Sequence, residues 1–238
     1  MILAINTSTQ QFGIAFLNGH GSTLAEYLMP REKGHFGSFM PALDFVLSQL
    51  KASIRDVRAV CVAIGPGSFT GLRVGLSAAK GLCHGLSIPI IGVSSLHALA
   101  FQAPYSDLPI SPVIYSRSDE LFTARFFLED GQTLKRIMDD TAVKITDLSS
   151  VFDGPSVFIG NDFVSQEPML RQCLGPDIHV APGYLWNLRA SAVGALGLIR
   201  LNANDFNDPL RLDPIYIRPP DIKTKPVNVI FNGSMAGE

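Results

Sequence analysis

Residues 64–73 read I-G-P-G-S-F-T-G-L-R, with Gly65, Gly67 and Gly71 spaced through a segment that directly follows an apolar run. Glycine permits positive φ and close backbone approach, and Ser68 stands where it can cap a helix beginning at Phe69. A helix start of this kind presents free N–H groups and the positive end of the helix dipole, and both attract an anion. Neither standard phosphate loop fits. No lysine follows Gly71, as a Walker loop requires, and three residues rather than two separate Gly67 from Gly71. A tight strand-to-helix turn without any ligand accounts for the same residues. A second segment, Asn6, Thr7, Ser8 and Thr9, sets an amide and hydroxyls immediately after an apolar run and is a candidate, though degenerate, nucleotide cleft. An amide cannot supply the negative charge that helps hold a hard cation, which disfavours magnesium-dependent phosphoryl transfer. A turn satisfied by its own side chains is the alternative.

Other chemistries lack their residues. The histidines, His20, His35, His84, His97 and His179, show no H-x-x-x-H or H-E-x-x-H spacing, and no C-x-x-C pair occurs, so no metal site is assigned. Ser68 is not central in G-x-S-x-G, and no serine, histidine and acid set can be singled out, so no catalytic residue is assigned.

These segments need elements to position them. Residues 2–5 and 12–17 read as strands, with a third over 23–28 closed by Pro30, forming an antiparallel meander. Apolar residues at 36, 39, 40, 43, 46, 47 and 50 recur at helical spacing. The run at 57–64 is apolar on both faces, as in a central or parallel strand, and the glycine junction joins it to a second helix over 69–86. A buried strand at 88–93 follows, then a short helix capped by Ser94 or Ser95. A proline-rich stretch at 104–112 divides an N-terminal lobe, 1–104, from a second lobe, 105–218, leaving 219–238 as a flexible tail. The second lobe offers strands at 113–116, 121–128 and 157–159 and a helix at 188–201. Strands followed by helix–strand alternation, then a further α/β lobe, suggest a duplicated α/β architecture of the actin type.

Within the second helix, Gly71, Gly75 and Ala78 or Ala79 form one small-residue stripe, and Gly81 and Gly85 another. Each glycine weakens a helix by roughly 1 kcal/mol, so tight packing inside the lobe or across a subunit interface is expected. Arg73 and Lys80 share one face and would form its polar rim.

Composition narrows the class. The 238 residues are 47% apolar and 17% charged, which suits folded cores rather than disorder. A net charge of −2 provides no field for binding nucleic acid unaided, although Arg211, Arg218, Lys223 and Lys225 add local positive charge late in the chain. Three scattered cysteines make a disulfide framework improbable, no apolar run reaches membrane-spanning length, and the chain reads as cytoplasmic.

The segments M-I-L-A-I-N-T-S-T at 1–9, G-P-G-S-F-T-G-L-R-V-G-L-S-A-A-K-G-L at 65–82 and P-I-I-G-V-S-S-L at 89–96 closely resemble the bacterial TsaB family, also called YeaZ. Y-S-R-S-D-E-L-F at 115–122 is similar to the family's D-A-R-x-G-E-V-Y, and D-P-I-Y-I-R at 213–218 to its P-x-Y-x-R ending. The resemblance implies an actin-like ATPase fold of two mixed-sheet lobes flanked by helices. It also implies a noncatalytic scaffold in the complex that places threonylcarbamoyl on the tRNA adenosine beside the anticodon (t6A). Its partners would be the catalytic paralogue TsaD and the ATPase TsaE, or a second copy when isolated, with tRNA met only through the complex. No cofactor would be held firmly by this chain, and ATP or ADP would belong to the complex interface. Pairing in the family runs through two N-terminal-lobe helices, here 36–50 and 69–86. The implied contact residues are Phe36, Phe39, Met40, Gly65, Pro66, Gly67, Ser68, Phe69, Thr70, Gly71, Arg73, Gly75, Ala78 and Lys80. Asn6, Tyr115 and Asp119 depart from the family's aspartate, aspartate and glycine, which weakens a nucleotide role for this subunit. The alternative reading is a stand-alone actin-fold phosphotransferase or ATPase gripping phosphates with residues 6–9 and 65–68.

Overall fold

Alternation of side chains across a strand sends its residues to two opposite faces, and in the first of the two sheets here both faces are covered by helices. The computed structural model describes residues 1–30, 35–103, 106–129 and 133–218. The first sheet is built from β1 (Ile2–Asn6), β2 (Gln11–Leu17), β3 (Thr23–Pro30), β4 (Ala59–Gly65) and β5 (Ile90–Ser94), in the order β3-β2-β1-β4-β5. The first three strands pair antiparallel, and β1, β4 and β5 run parallel. Helices α1 (Phe39–Gln49) and α2 (Phe69–Leu86) lie between these strands in the chain, and α3 (Ser95–Phe101) follows β5. The periodicity over 36–50 resolves into a 3-10 turn at His35–Ser38 and then α1, since Gly37 and Ser38 are weak helix formers in a first turn. The α2 boundaries match the sequence reading, and Ser68 Oγ accepts a hydrogen bond from Gly71 N at 3.3 Å as its cap.

The second sheet contains β6 (Ile110–Arg117), β7 (Glu120–Glu129), β8 (Thr133–Lys144), β9 (Val157–Gly160) and β10 (His179–Val180). Its order is β10-β9-β6-β7-β8, with β6, β7 and β8 antiparallel and β6, β9 and β10 parallel. Strand for strand this is the first sheet again, β6 taking the place of β1. The duplicated, actin-like architecture is thus present in the topology, though no repeat appears in the letters. Helices α4 (Leu148–Val151), α5 (Phe163–Leu174) and α6 (Ala190–Asn202) complete the chain.

Two cores follow from the alternation. Leu3, Ile5, Val60 and Val62 face α1 and α2, together with Leu43, Val46 and Leu76. Ile2, Ala4, Cys61 and Ala63 face the other way and join α3, α6 and the second sheet in one continuous core. Helix α6 seats closely on the first sheet because its own glycines leave room for the strand side chains. A Cβ on Gly197 would lie 2.2 Å from Cys61 Sγ, and one on Gly194 would lie 2.4 Å from Leu17 Cδ1. Helix α6 therefore packs against β1, β2, β4 and β5. The sequence reading grouped 188–201 with the second lobe; spatially that helix covers the first. Its N-terminus is capped from β3, where the Glu26 carboxylate accepts hydrogen bonds from Ser191 N at 3.0 Å and Ser191 Oγ at 3.1 Å and pairs with Arg189. Cys61, Cys83 and Cys173 are free, and the tail at 219–238 lies outside the described residues.

His97 of α3 is stacked on Phe126 of β7, ring centroids 5.1 Å apart, and Arg136 of β8 lies over the same ring. Burial first, and then the Arg136 charge, push the imidazole down from 6.5 to about 4. A depressed histidine binds fewer protons folded than unfolded, so acidification from about 6.5 toward 4 removes stability, by at most about 1.4 kcal/mol per pH unit. Asp140, raised by burial, works in the opposite direction. Urea unfolding at pH 7.5, 6.0 and 5.0 is expected to show this fall, and His97→Phe to flatten it.

Candidate functional site

The two segments singled out by sequence meet at the carboxyl ends of β1 and β4. Asn6, the last residue of β1, is fully buried and uses all of its hydrogen-bonding capacity locally. Its Oδ1 accepts from Ser8 N at 3.0 Å and Ser8 Oγ at 2.7 Å; its Nδ2 donates to Leu188 O at 2.7 Å and to Thr9 Oγ1 at 3.2 Å. The amide thus ties the turn to the backbone that leads into α6, and no donor or acceptor remains for a ligand. A carboxylate here could not donate to Leu188 O. These residues do not fit a magnesium-bound nucleotide held from the end of β1.

Thr7 turns toward α2. Its hydroxyl donates to Gly71 O at 2.7 Å, and a Cβ on Gly75 would lie 2.1 Å from its Oγ1. Ser68 N donates to Ser8 O at 2.7 Å, so the glycine junction is bonded directly to the turn. The stripe of Gly71, Gly75 and Ala79 is buried within the lobe. The interface role expected for Gly75 gives way to this internal contact, because the hydroxyl of Thr7 already fills the space a partner would need. The second stripe is different: Gly81 and Gly85 are exposed, and a Cβ on either meets nothing within 4 Å.

A cleft of about 530 Å³ opens between the lobes, lined by Ser8, Thr9 and Gln10 from the turn, Gly67 to Phe69 from the junction, Tyr115 to Arg117 from β6, Asn161, and Ile215 to Arg218. Its charged lining residues are Arg117 and Arg218, and no carboxylate lines it among the described residues. Burial, and secondarily the Asp162 carboxylate, raise the Tyr115 phenol above its ordinary range. No group of three His, Cys, Asp or Glu side chains is placed to hold a metal among the described residues.

The remaining candidates separate by exposure. Phe39, Gly65, Pro66 and Gly71 are buried; Gly67, Ser68, Ala78 and Lys80 are half-buried; Met40, Phe69, Thr70 and Arg73 face solvent. The side chain of Phe36 lies outside the described residues. Sequence reading passed over Asn161 and the cleft role of 215–218. Only the P-I-Y-I-R letters carried a signal for the latter, and nothing marked Asn161, whose Oδ1 accepts from Tyr115 N at 3.3 Å.

Asn6→Asp tests the polar node. It leaves Leu188 O without its donor in a buried site and is expected to cost about 1–3 kcal/mol. Burial raises the new carboxyl, so stability is lost as pH rises through its folded value. The loss in thermal unfolding is therefore expected to be larger at pH 8 than at pH 4.5.

Comparison with known proteins places this geometry. Residues 29–162, just over half of the chain, match the family model described as TsaD: tRNA N6-adenosine threonylcarbamoyltransferase. The tRNA threonylcarbamoyladenosine biosynthesis protein TsaB of Bacillus subtilis is 32% identical over 227 residues, covering 94% of this chain and 96% of that one. Its Escherichia coli counterpart of the same name is 40% identical over 100 residues, 42% of each chain. The solved structure of YeaZ from Pseudomonas aeruginosa superposes with a TM-score of 0.74 at 20% identity, covering 90% of this chain and 98% of that one, and shares the fold. With a named TsaB matched over nearly the full length of both chains, this protein belongs to the TsaB family.

Proposed function

We propose that this chain is the noncatalytic scaffold subunit for tRNA threonylcarbamoyladenosine synthesis, pairing through its first lobe with a TsaD-type catalytic paralogue. The role in this modification rests on family membership. The noncatalytic reading rests chiefly on Asn6: all of its polar atoms are committed inside the fold, at the strand end where a nucleotide-holding carboxylate would be needed. The TsaE ATPase and tRNA would be met through the complex, and ATP or ADP would be bound, if by this chain at all, only where a partner completes the site.

The docking surface that fits this reading is the outer face of α1 and α2. Both helices cover the same face of the first sheet. Outward α1 presents Met40 and Phe45, 54% and 55% exposed, and α2 presents Arg73, Ser77, Gly81 and His84. Exposed apolar side chains and a stripe of small residues on one side of the lobe provide area to bury and close approach. The contact set inferred from sequence shifts accordingly. Gly65, Pro66, Gly71 and Gly75 support the face from inside, while Met40, Phe69, Thr70 and Arg73 reach it.

Two measurements test the proposal. Gly81→Leu replaces a helical glycine where a new side chain meets open space, so stability should hold or rise by about 0.5–1 kcal/mol. The same substitution should weaken co-purification with TsaD at least tenfold; undiminished pairing would remove α2 from the interface. Calorimetric titration of the isolated chain with Mg-ATP should give no heat of binding, and tight binding with turnover would favour the stand-alone ATPase instead.

A further inference from the structure

We propose that residues 214–218 form a strap that bridges the two lobes beside the core they share and closes the interlobe cleft. The chain reaches this point anchored in the first lobe, where Leu212 is buried in the core beneath α1 and α2. Ile215 N then donates to Ile64 O at 2.7 Å, adding a backbone bond at the last residues of β4. This approach requires the glycine at 65, whose φ is +112° and where a Cβ would lie 2.8 Å from Ile215 O. Tyr216 packs against Phe69 with ring centroids 5.3 Å apart, and its hydroxyl accepts from Arg73 Nε at 3.1 Å. Two residues later the attachment changes lobe. Arg218 pairs with Glu120 at the start of β7, Nη2 to Oε2 2.9 Å, and the Glu120 side chain is 5% exposed.

A backbone hydrogen bond, aromatic packing and an ion pair thus bind one short segment, which lines the cleft, to both lobes. Anything bound in the cleft beside Ser68 shares it with Tyr216 and Arg218. The closed state is incompletely satisfied. Glu120 Oε1 is buried without a hydrogen-bond partner, whereas an open strap would expose both carboxylate oxygens to water. The proposal is independent of the scaffold reading.

The test reads interlobe distance on the full chain. Spin labels at Ser77→Cys and Asp119→Cys, both exposed positions on opposite lobes, are introduced with Cys173→Ser, leaving only the buried cysteines. The unsubstituted strap is expected to give one narrow distance distribution. Tyr216→Ala, which removes the side-chain part of the first-lobe attachment without disturbing a buried ion, and Glu120→Gln, which removes the charge without stranding one, should each broaden and lengthen it. The double variant should do little more than either single, because one strap is released in both cases. Unchanged distributions in folded Tyr216→Ala and Glu120→Gln chains would overturn the proposal, as would an additive response.

Discussion

The contact between Thr7 and Gly75 is the constraint around which the first lobe is arranged. A hydroxyl standing where any other residue's Cβ would be fixes the height of α2 above the end of β1. The same approach lets Thr7 bond Gly71 O and Ser68 bond Ser8 O, so turn, junction and helix form one unit. Loosening it would move the cap of α2, the floor of the cleft and the outer face of the helix together. The glycines weaken the helix locally, and the packing they permit offsets that cost.

Much of the first lobe was legible in the sequence because its signals are local. Apolar runs marked β1, β2 and β4, helical spacing marked α1, and the serine after Gly67 marked the start of α2. The second lobe was harder to read. Strand β8 carries Lys135, Arg136, Asp139 and Asp140 on an edge with one face wet, and α5 holds Pro168 in a polar sequence, so neither produces strong periodicity. The topology, not the letters, shows the repeat, because strand order survives when side chains have diverged.

The site divides in the same way. That residues 6–9 and 65–68 are neighbours follows from their places at strand ends. What they do does not follow, because hydrogen-bond partners far along the chain decide it. Leu188, 182 positions away, turns Asn6 from a potential ligand into a structural tie. The small-residue stripe posed a similar ambiguity. Sequence gives two stripes on one helix and cannot say which faces inward; Thr7 settles it for Gly75, and the open space around Gly81 leaves that stripe on the surface.

The return of α6 to the first sheet bears on the order in which the molecule is made. Synthesis delivers β1 to β5 long before residues 190–202, so Ala4, Cys61 and Ile91 emerge with only the short α3 to cover part of their face. The growing chain must hold a half-dressed sheet through the appearance of the whole second lobe, a period in which exposed apolar surface favours aggregation. The glycines that give α6 its close seat arrive only with that helix, so the sheet's apolar side is closed late and in one step.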